Sequence, residues 1–414
     1  MSGDLHAAID RLAEFNDDPA AGGITREVYT PTYAAALEWV AERMRDAGLQ
    51  TRVDAFGNLW GRWEGAEPQA PRVVTGSHVD TTLNAGRYDG VVGVLGAIEA
   101  VRSLRDAGFE PRRGIEVVAV AGEEPRFGTG CIGSRALVGA LGPDDLDALR
   151  DRDGVSLAEA LRGAGFDPAR IADARLDPAA VHAFVELHIE QGVVLETHGE
   201  AIGVVTAIAA PHDLRLILRG AATHAGATPM ALRRDALAGA AEVMTALERL
   251  ARESPSGTTV GTVGVLRARP GAINVVPGEA ELDIDVRDSD LAAREAVVEG
   301  LLAAAHEICE RRGLEVEVQP IVQDTPVVCA DEVVAAAEAA CEELALSFRR
   351  MTSGAYHDAM IMAAEVPVGM VFVPSAGGVS HHPDEYTAPE QLDAGVRVLA
   401  GVLARLSAAQ KPSR

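Results

Sequence analysis

Lysine is almost missing from this chain: Lys411 is the only one in 414 residues, and the other basic side chains are arginine. A phosphate-binding P-loop, a pyridoxal phosphate Schiff base and a barrel amidohydrolase with a carboxylated bridging lysine each need a lysine. None of these chemistries has one available. Cysteine is scarce too: Cys131, Cys309, Cys329 and Cys341 show no CxxC spacing, which argues against zinc ribbons and thioredoxin chemistry. A disulfide framework is not expected in so long and cysteine-poor a chain. Positive charge is in deficit. A formal net charge of -25 is repelled by nucleic acid and anionic membranes, so neither is expected as a partner. No apolar run is long enough for a membrane span, and the polar start MSGDLHAAIDRLAEF lacks a signal-peptide pattern. The cytoplasm is the expected compartment.

What is present is the composition of a folded protein, 48% hydrophobic and 24% charged, in a chain long enough for two domains. Helical apolar spacing runs over residues 33–48 and ends at a glycine stop. Strand-like VDAFGNLWGRWEG and PRVVTGSH follow, then the helical run DGVVGVLGAIEAVRSLRDAG and the apolar strand GIEVVAVAG. This alternation predicts an α/β fold, a mixed, largely parallel sheet flanked by helices. Residues 141–180 are expected as short surface helices, and strands resume with VHAFVELHIEQG and AIGVVTAIAA. From residue 211 the order becomes β-α-β-β-α-β, a ferredoxin-like α+β unit that can stand alone. After residue 327 a helix, the strand VPVGMVFVPS and a last helix follow. The expected organisation is one catalytic domain from 1–210 and 327–414, interrupted by an inserted domain at 211–326.

Five candidate metal ligands stand in glycine-rich or polar turns beside apolar runs: His78, Asp89, Glu124, His188 and His381. Imidazoles and carboxylates are what a pair of divalent cations requires, with one carboxylate bridging and a position left for water. In a doubly wound sheet such groups gather at the carboxyl ends of the strands. Taken singly, each has an ordinary explanation: a structural histidine, a helix N-cap for Asp89, an exposed acidic turn for Glu123–Glu124. Adjacent glutamates at a strand end divide naturally, because successive side chains diverge. Glu124 is assigned to metal and Glu123 to the general base that moves a proton from water to the leaving nitrogen. Asp80 is expected to fix the tautomer of His78.

The segments GSHVDT, GRYDGVVGVLGAIEAV, EEPRFGTGCIGSRAL, ELHIEQGVVLE, THAGATPM, INVVPGEAELDIDVR, SGAYHDAM and GGVSHHPDEYT span residues 76 to 387 in order. Together they resemble the N-carbamoyl-L-amino-acid hydrolase and allantoate amidohydrolase family, within the superfamily of two-metal aminoacylases and carboxypeptidases. The resemblance implies a zinc-exopeptidase-like catalytic domain whose inserted domain is a lid that also mediates homodimerisation. It places two divalent ions (zinc, manganese, cobalt or nickel) on His78, Asp89 as the bridge, Glu124, His188 and His381, with His382 set aside. It implies that His224 polarises the scissile carbonyl by reaching the partner subunit's site, that Asn274 and Arg287 clamp the substrate carboxylate, and that Gln191 bonds the ureido or amide group. Tyr356 and His357 of SGAYHDAM are placed beside the substrate. Two departures bear on specificity: Tyr356 stands where the family usually has glycine, and EEPRFG is one residue shorter than the common EEGSRFG. The implied reaction is hydrolysis of a linear carbon–nitrogen bond in a small carboxylate-bearing ureido or amide substrate. An N-carbamoyl-L-amino acid leads, allantoate or a related ureido acid is the alternative, and aminoacylase or dipeptidase activity comes third. A non-catalytic metal-binding relative is the rival reading, and the presence of Glu123 speaks against it.

Overall fold

The computed structural model describes residues 2–408, with side chains from Leu5 onward, so Lys411 lies outside the described residues. The chain divides into two compact units. The larger comprises Met1–Thr206, Cys329–Met351 and His357–Arg414. Its centre is four parallel strands lying side by side in the order Ile115–Val120, Arg72–His78, Val181–Ile189, Val368–Val373. Antiparallel strands extend this sheet, Leu59–Trp63 and Gln50–Val53 on one side and Ile202–Ile208 on the other. Every residue of IEVVAV and VGMVFV is buried. These runs are continuous rather than alternating because helices cover both faces of a parallel sheet. The helix Val91–Asp106 buries its first eleven residues and packs on the parallel strands and on the C-terminal helix Pro389–Ser407.

The smaller unit comprises Ala207–Val328 and Thr352–Tyr356. Its main sheet is antiparallel in the order Glu315–Gln323, Ala210–Arg219, Glu279–Asp288, Val260–Arg269. With the helices Ala236–Arg252 and Leu291–Arg312, that is the split β-α-β-β-α-β order. Burial alternates residue by residue along Glu279–Asp288, since successive side chains point to opposite faces. One face meets the helices through Leu214, Leu216, Leu282, Ile284, Leu247 and Leu301, each worth about 1.5–3 kcal/mol when fully buried. The other carries ion pairs such as Arg215 Nε–Asp283 Oδ1 at 2.6 Å and Arg269 Nη1–Glu279 Oε1 at 2.7 Å. Water reaches these pairs and screens them, so they add little to stability.

Three local features differ from expectation. The helix after Asp89 begins at Val91 with Gly90 as its N-cap, so Asp89 does not cap it and its carboxylate is directed elsewhere. The polar segment Phe348–Ser353 forms a strand that its sequence does not advertise. The short piece Thr352–Tyr356 groups with the smaller unit, so the neighbours Tyr356 and His357 belong to different units. Among the described residues, no helix is long and apolar enough to cross a membrane.

Candidate metal centre

Each of the four adjacent parallel strands delivers one candidate ligand at or beyond its carboxyl end. His78 closes Arg72–His78, His188 is next to last in Val181–Ile189, Glu124 follows Ile115–Val120, and His381 follows Val368–Val373. Asp89 comes from the loop between Arg72–His78 and the next helix. The structure gathers all five residues around the Asp89 carboxylate. Asp89 Oδ1 lies 3.1 Å from His188 Nε2 and 3.6 Å from His78 Nε2. Asp89 Oδ2 lies 3.0 Å from His381 Nε2, and the same nitrogen is 3.6 Å from Glu124 Oε1. Two groups of ligand atoms result, His78–Asp89–His188 and Asp89–Glu124–His381, each within 4.8 Å across. His78 and His188 are buried, whereas the His381 side chain is 50% exposed.

The donor set fits cations on chemical grounds. His78 Nδ1 lies 3.0 Å from the Asp80 carbonyl and His188 Nδ1 2.9 Å from the Ile189 carbonyl. A carbonyl oxygen only accepts, so both Nδ1 atoms carry the proton. Both Nε2 lone pairs then face one carboxylate oxygen, that of His188 also taking the Gly90 N–H at 3.2 Å, and a positive charge between them relieves the lone-pair repulsion. A cation does this; so does an additional proton. Without a cation, burial opposes a charged His78, yet Glu123, Asp89 and Asp80 more than offset it and lift its pKa well above the ordinary imidazole value. His188 is likewise opposed by burial but raised by Asp89. His381 is pushed up to about 9, chiefly by its contact with Asp89. Burial, then the Asp89 charge, raises Glu124 to about 7.

Glycine is required under this centre. At Gly90 (φ 65°) a Cβ would stand 2.3 Å from His78 Nε2, so a side chain there would meet the imidazole directly.

Glu123 turns away from Glu124. Its Oε2 lies 3.7 Å from His78 Nε2, and the Cys131 thiol donates to its Oε1 at 3.6 Å. Asp80 holds this turn differently from the sequence expectation. It is the carbonyl of Asp80 that engages His78, its carboxylate being 3.7 Å from Nδ1. That carboxylate accepts from the backbone of Gly122 at 3.2 Å and of Glu124 at 3.0 Å. Asp80 therefore supports the imidazole through its backbone and the paired glutamates through its side chain. Gln191 Nε2 donates to Asp89 Oδ2 at 2.8 Å, and its Oε1 is buried without a partner among the described residues. His357 is buried, with its ring 4.5 Å from that of His188. Burial, then the His188 charge, holds its pKa well below the ordinary value.

Several supporting residues escaped the sequence reading. Buried Arg26 donates from Nε to the Val79 carbonyl at 2.7 Å, pinning the peptide between His78 and Asp80. Glu186 accepts from Ser77 Oγ at 2.6 Å and from the Ala359 backbone at 2.9 Å beneath the histidines. Glu385 and Ser380 bracket Asp89. Glu385 was visible in SHHPDEY, but nothing in a lone sequence separates a buried acid from a solvated one.

The remaining candidates lie on the smaller unit. His224 pairs with Val275 across a short two-stranded ladder, and the Ala225 backbone bonds the Asn274 carbonyl at 2.9 Å, so His224 and Asn274 are neighbours. His224 Nδ1 accepts from the backbone of Gly226 and Ala227, both at 3.1 Å. Its proton is thereby placed on Nε2, where it can be donated. Arg287 is on Glu279–Asp288, away from that ladder. Its guanidinium is gripped by Asp285 (Nε–Oδ1 2.9 Å, Nη2–Oδ2 2.7 Å) and bonds the Gly354 carbonyl at 3.1 Å. Arg287, Asp285, Asp213, Thr262 and Gly354 line a cavity of about 440 Å³.

Known proteins match this arrangement along nearly its whole length. The chain is 44% identical to a ureidoglycolate hydrolase of Arabidopsis thaliana over 97% of its own length and 86% of that protein's. It is 44% identical to an N-carbamoyl-L-amino acid amidohydrolase of Geobacillus stearothermophilus, covering 94% of both chains. A crystal structure of AtUAH in complex with (S)-hydroxyglycine superposes with a TM-score of 0.82 at 43% identity, over 98% of this chain and 97% of that one. A family model described as Peptidase family M20/M25/M40 matches residues 74–405. On that match, and on relatives this similar, the chain belongs to peptidase family M20/M25/M40.

Proposed function

We propose that this metal-dependent amidohydrolase holds two divalent cations and cleaves the ureido carbon–nitrogen bond of a small α-ureido carboxylate. The leading substrate is an N-carbamoyl-L-amino acid, giving L-amino acid, carbon dioxide and ammonia. The observation that carries this reading is the Asp89 carboxylate, with one oxygen turned to His78 and His188 and the other to His381, which Glu124 also faces. His78, Asp89 and His188 would hold one cation, and Asp89, Glu124 and His381 the other. When bound, divalent cations acidify water towards a pKa of about 7 and polarise a carbonyl oxygen. Imidazole and carboxylate ligands suit zinc, manganese, cobalt and nickel alike.

The chain's own groups move the proton. Glu123 takes it from water at its carboxylate and delivers it to the leaving nitrogen, and its orientation is supported by the Cys131 thiol and the Cys131 backbone N–H. His224, with its proton on Nε2, donates to the carbonyl oxygen as negative charge develops, a contribution of about 3 kcal/mol for such a donor. Arg287 binds the substrate carboxylate, exchanging part of its contact with Asp285 for a bidentate one with substrate; Asn274, a neighbour of His224 and away from Arg287, would reach the same carboxylate together with His224 from the partner subunit. Gln191, Tyr356 and His357 complete the substrate-facing set, Gln191 through its unpartnered Oε1.

The relatives favour one alternative. Ureidoglycolate and N-carbamoyl amino acids share a carboxylate–CH–NH–CO–NH2 skeleton and differ in the substituent on the central carbon. Relatives named for each are 44% identical to this chain, so ureidoglycolate comes next, ahead of allantoate, which carries a second ureido group on that carbon. Ammonia release by metal-loaded enzyme across the three ureido classes, with amino acid release from N-acetyl amino acids and dipeptides as controls, tests the assignment. Turnover of the controls with no activity on any ureido compound would overturn it.

The smaller unit is the lid and dimerisation domain in this reading. Support for the dimer is the terminal strand Val260–Arg269, where Val260 and Leu266 are exposed on an edge of the kind that pairs with a second chain. Sedimentation at the mass of a single chain would refute it. The cytoplasm remains the proposed compartment.

A further inference from the structure

The two groups of ligands around Asp89 are held by different means. His78 and His188 end parallel strands and have their Nδ1 atoms fixed by the carbonyls of Asp80 and Ile189. His381 has no strand under it. It sits in a loop at φ 53°, half exposed. Four residues further on, Glu385 is 3% exposed, and its carboxylate reaches across to the loop that carries Asp89. Glu385 Oε1 accepts from the backbone N–H of Tyr88 at 2.8 Å and of Asp89 at 3.1 Å. Ser380 Oγ lies 3.0 Å from Glu385 Oε2 and 3.1 Å from Asp89 Oδ2. Room for this crossing comes from Gly86, where a Cβ would stand 2.3 Å from Glu385 Oε1.

We infer that Glu385, with Ser380, is a positioning residue that locks the His381 loop to the Asp89 loop, so that the Asp89–Glu124–His381 cation depends on it and the His78–Asp89–His188 cation does not. The asymmetry follows from what Glu385 touches. It bonds the backbone of Asp89, and through Ser380 it reaches Oδ2, the oxygen facing His381; it makes no bond to His78 or His188 among the described residues. Outer partners of this kind commonly change metal affinity by roughly 10- to 100-fold. The inference rests on the two-cation reading above.

Titration of metal-free protein with Co2+, followed by visible absorption and by competition with a chelator, tests it without reference to turnover. The parent is expected to take two Co2+ ions. Glu385→Ala should bind one of them with parent affinity and the other roughly 10- to 100-fold more weakly. Glu385→Gln should recover most of that loss, because an amide oxygen can accept the same two N–H groups. Ser380→Ala, a smaller change that tests the link if Glu385→Ala does not fold, should weaken the same ion to a lesser degree. Parent-like binding of both ions by Glu385→Ala, or equal weakening of both, would overturn the inference while leaving the two-cation reading intact. A glutamine variant that behaves like alanine would also overturn it, since the effect would then be one of charge. A parent that binds fewer than two ions would sink the reading itself and this inference with it.

Discussion

Glu123 and Glu124 are adjacent in sequence but face different partners, Glu123 beside His78 and Cys131 and Glu124 beside His381. That divergence makes the roles separable by mutation. Glu123→Gln keeps the shape and removes the proposed base, so kcat should fall by about 10²–10⁴-fold while metal content by atomic emission stays near the parent value; unchanged turnover would dismiss the role. A second residue-scale prediction concerns Asp213, which no sequence pattern singles out. Burial, then the neighbouring Asp285 charge, raises its pKa to about 6. An acid whose folded pKa exceeds its unfolded value, about 3.9, stabilises the fold fully below that unfolded value. The contribution is lost as pH rises through about 6. Asp213→Asn should therefore melt higher than the parent at pH 8 and no higher at pH 4. A difference independent of pH would show that the burial is not felt as charge.

Elements were legible where periodicity was strong. The alternation in ELDIDVR marks a half-exposed strand, and IEVVAV marks one covered on both faces. Phe348–Ser353 has the polar sequence FRRMTS and a mostly half-buried profile without a clear period, so its strand character comes from pairing and not from local preference. The start of the helix after Asp89 was missed by two residues for a related reason. Aspartate favours N-caps in general, but here glycine takes the cap at φ 65° because a side chain at that position would strike His78. Gly90→Ala puts a side chain at φ 65° and ψ -42°, a backbone conformation L-residues rarely adopt, and pushes its methyl at the imidazole. The expected outcome is a lower melting temperature and loss of cation binding at the His78 side, measured by Co2+ titration. An alanine variant with parent stability and full metal uptake would contradict the geometry.

For the whole molecule, cation binding is linked to stability. A cation held only by the folded state, at a free concentration a thousand times its Kd, contributes about 4 kcal/mol per site. Chelation should abolish activity and lower the melting temperature of the larger unit, and Mn2+ or Zn2+ should restore both. A melting curve unmoved by chelator would mean that the buried histidines and acids are neutralised by protons alone.

The chain by itself determined the chemistry on offer: a single lysine, Lys411, remote along the chain from every candidate site residue, a strongly acidic balance, and imidazoles and carboxylates set beside apolar runs. Order and type of most elements followed as well, because burial imposes a period on local sequence. Tertiary structure decided which of those groups face one another. It put four strand ends side by side, although their candidate ligands lie up to 303 positions apart (His78 to His381). It gave Asp80 its backbone-holding task, bound Gln191 to Asp89, and buried Glu385 against the Asp89 loop. Such partnerships depend on distances through space between segments remote along the chain, and a polar side chain carries no local mark of which distant partner will bury it.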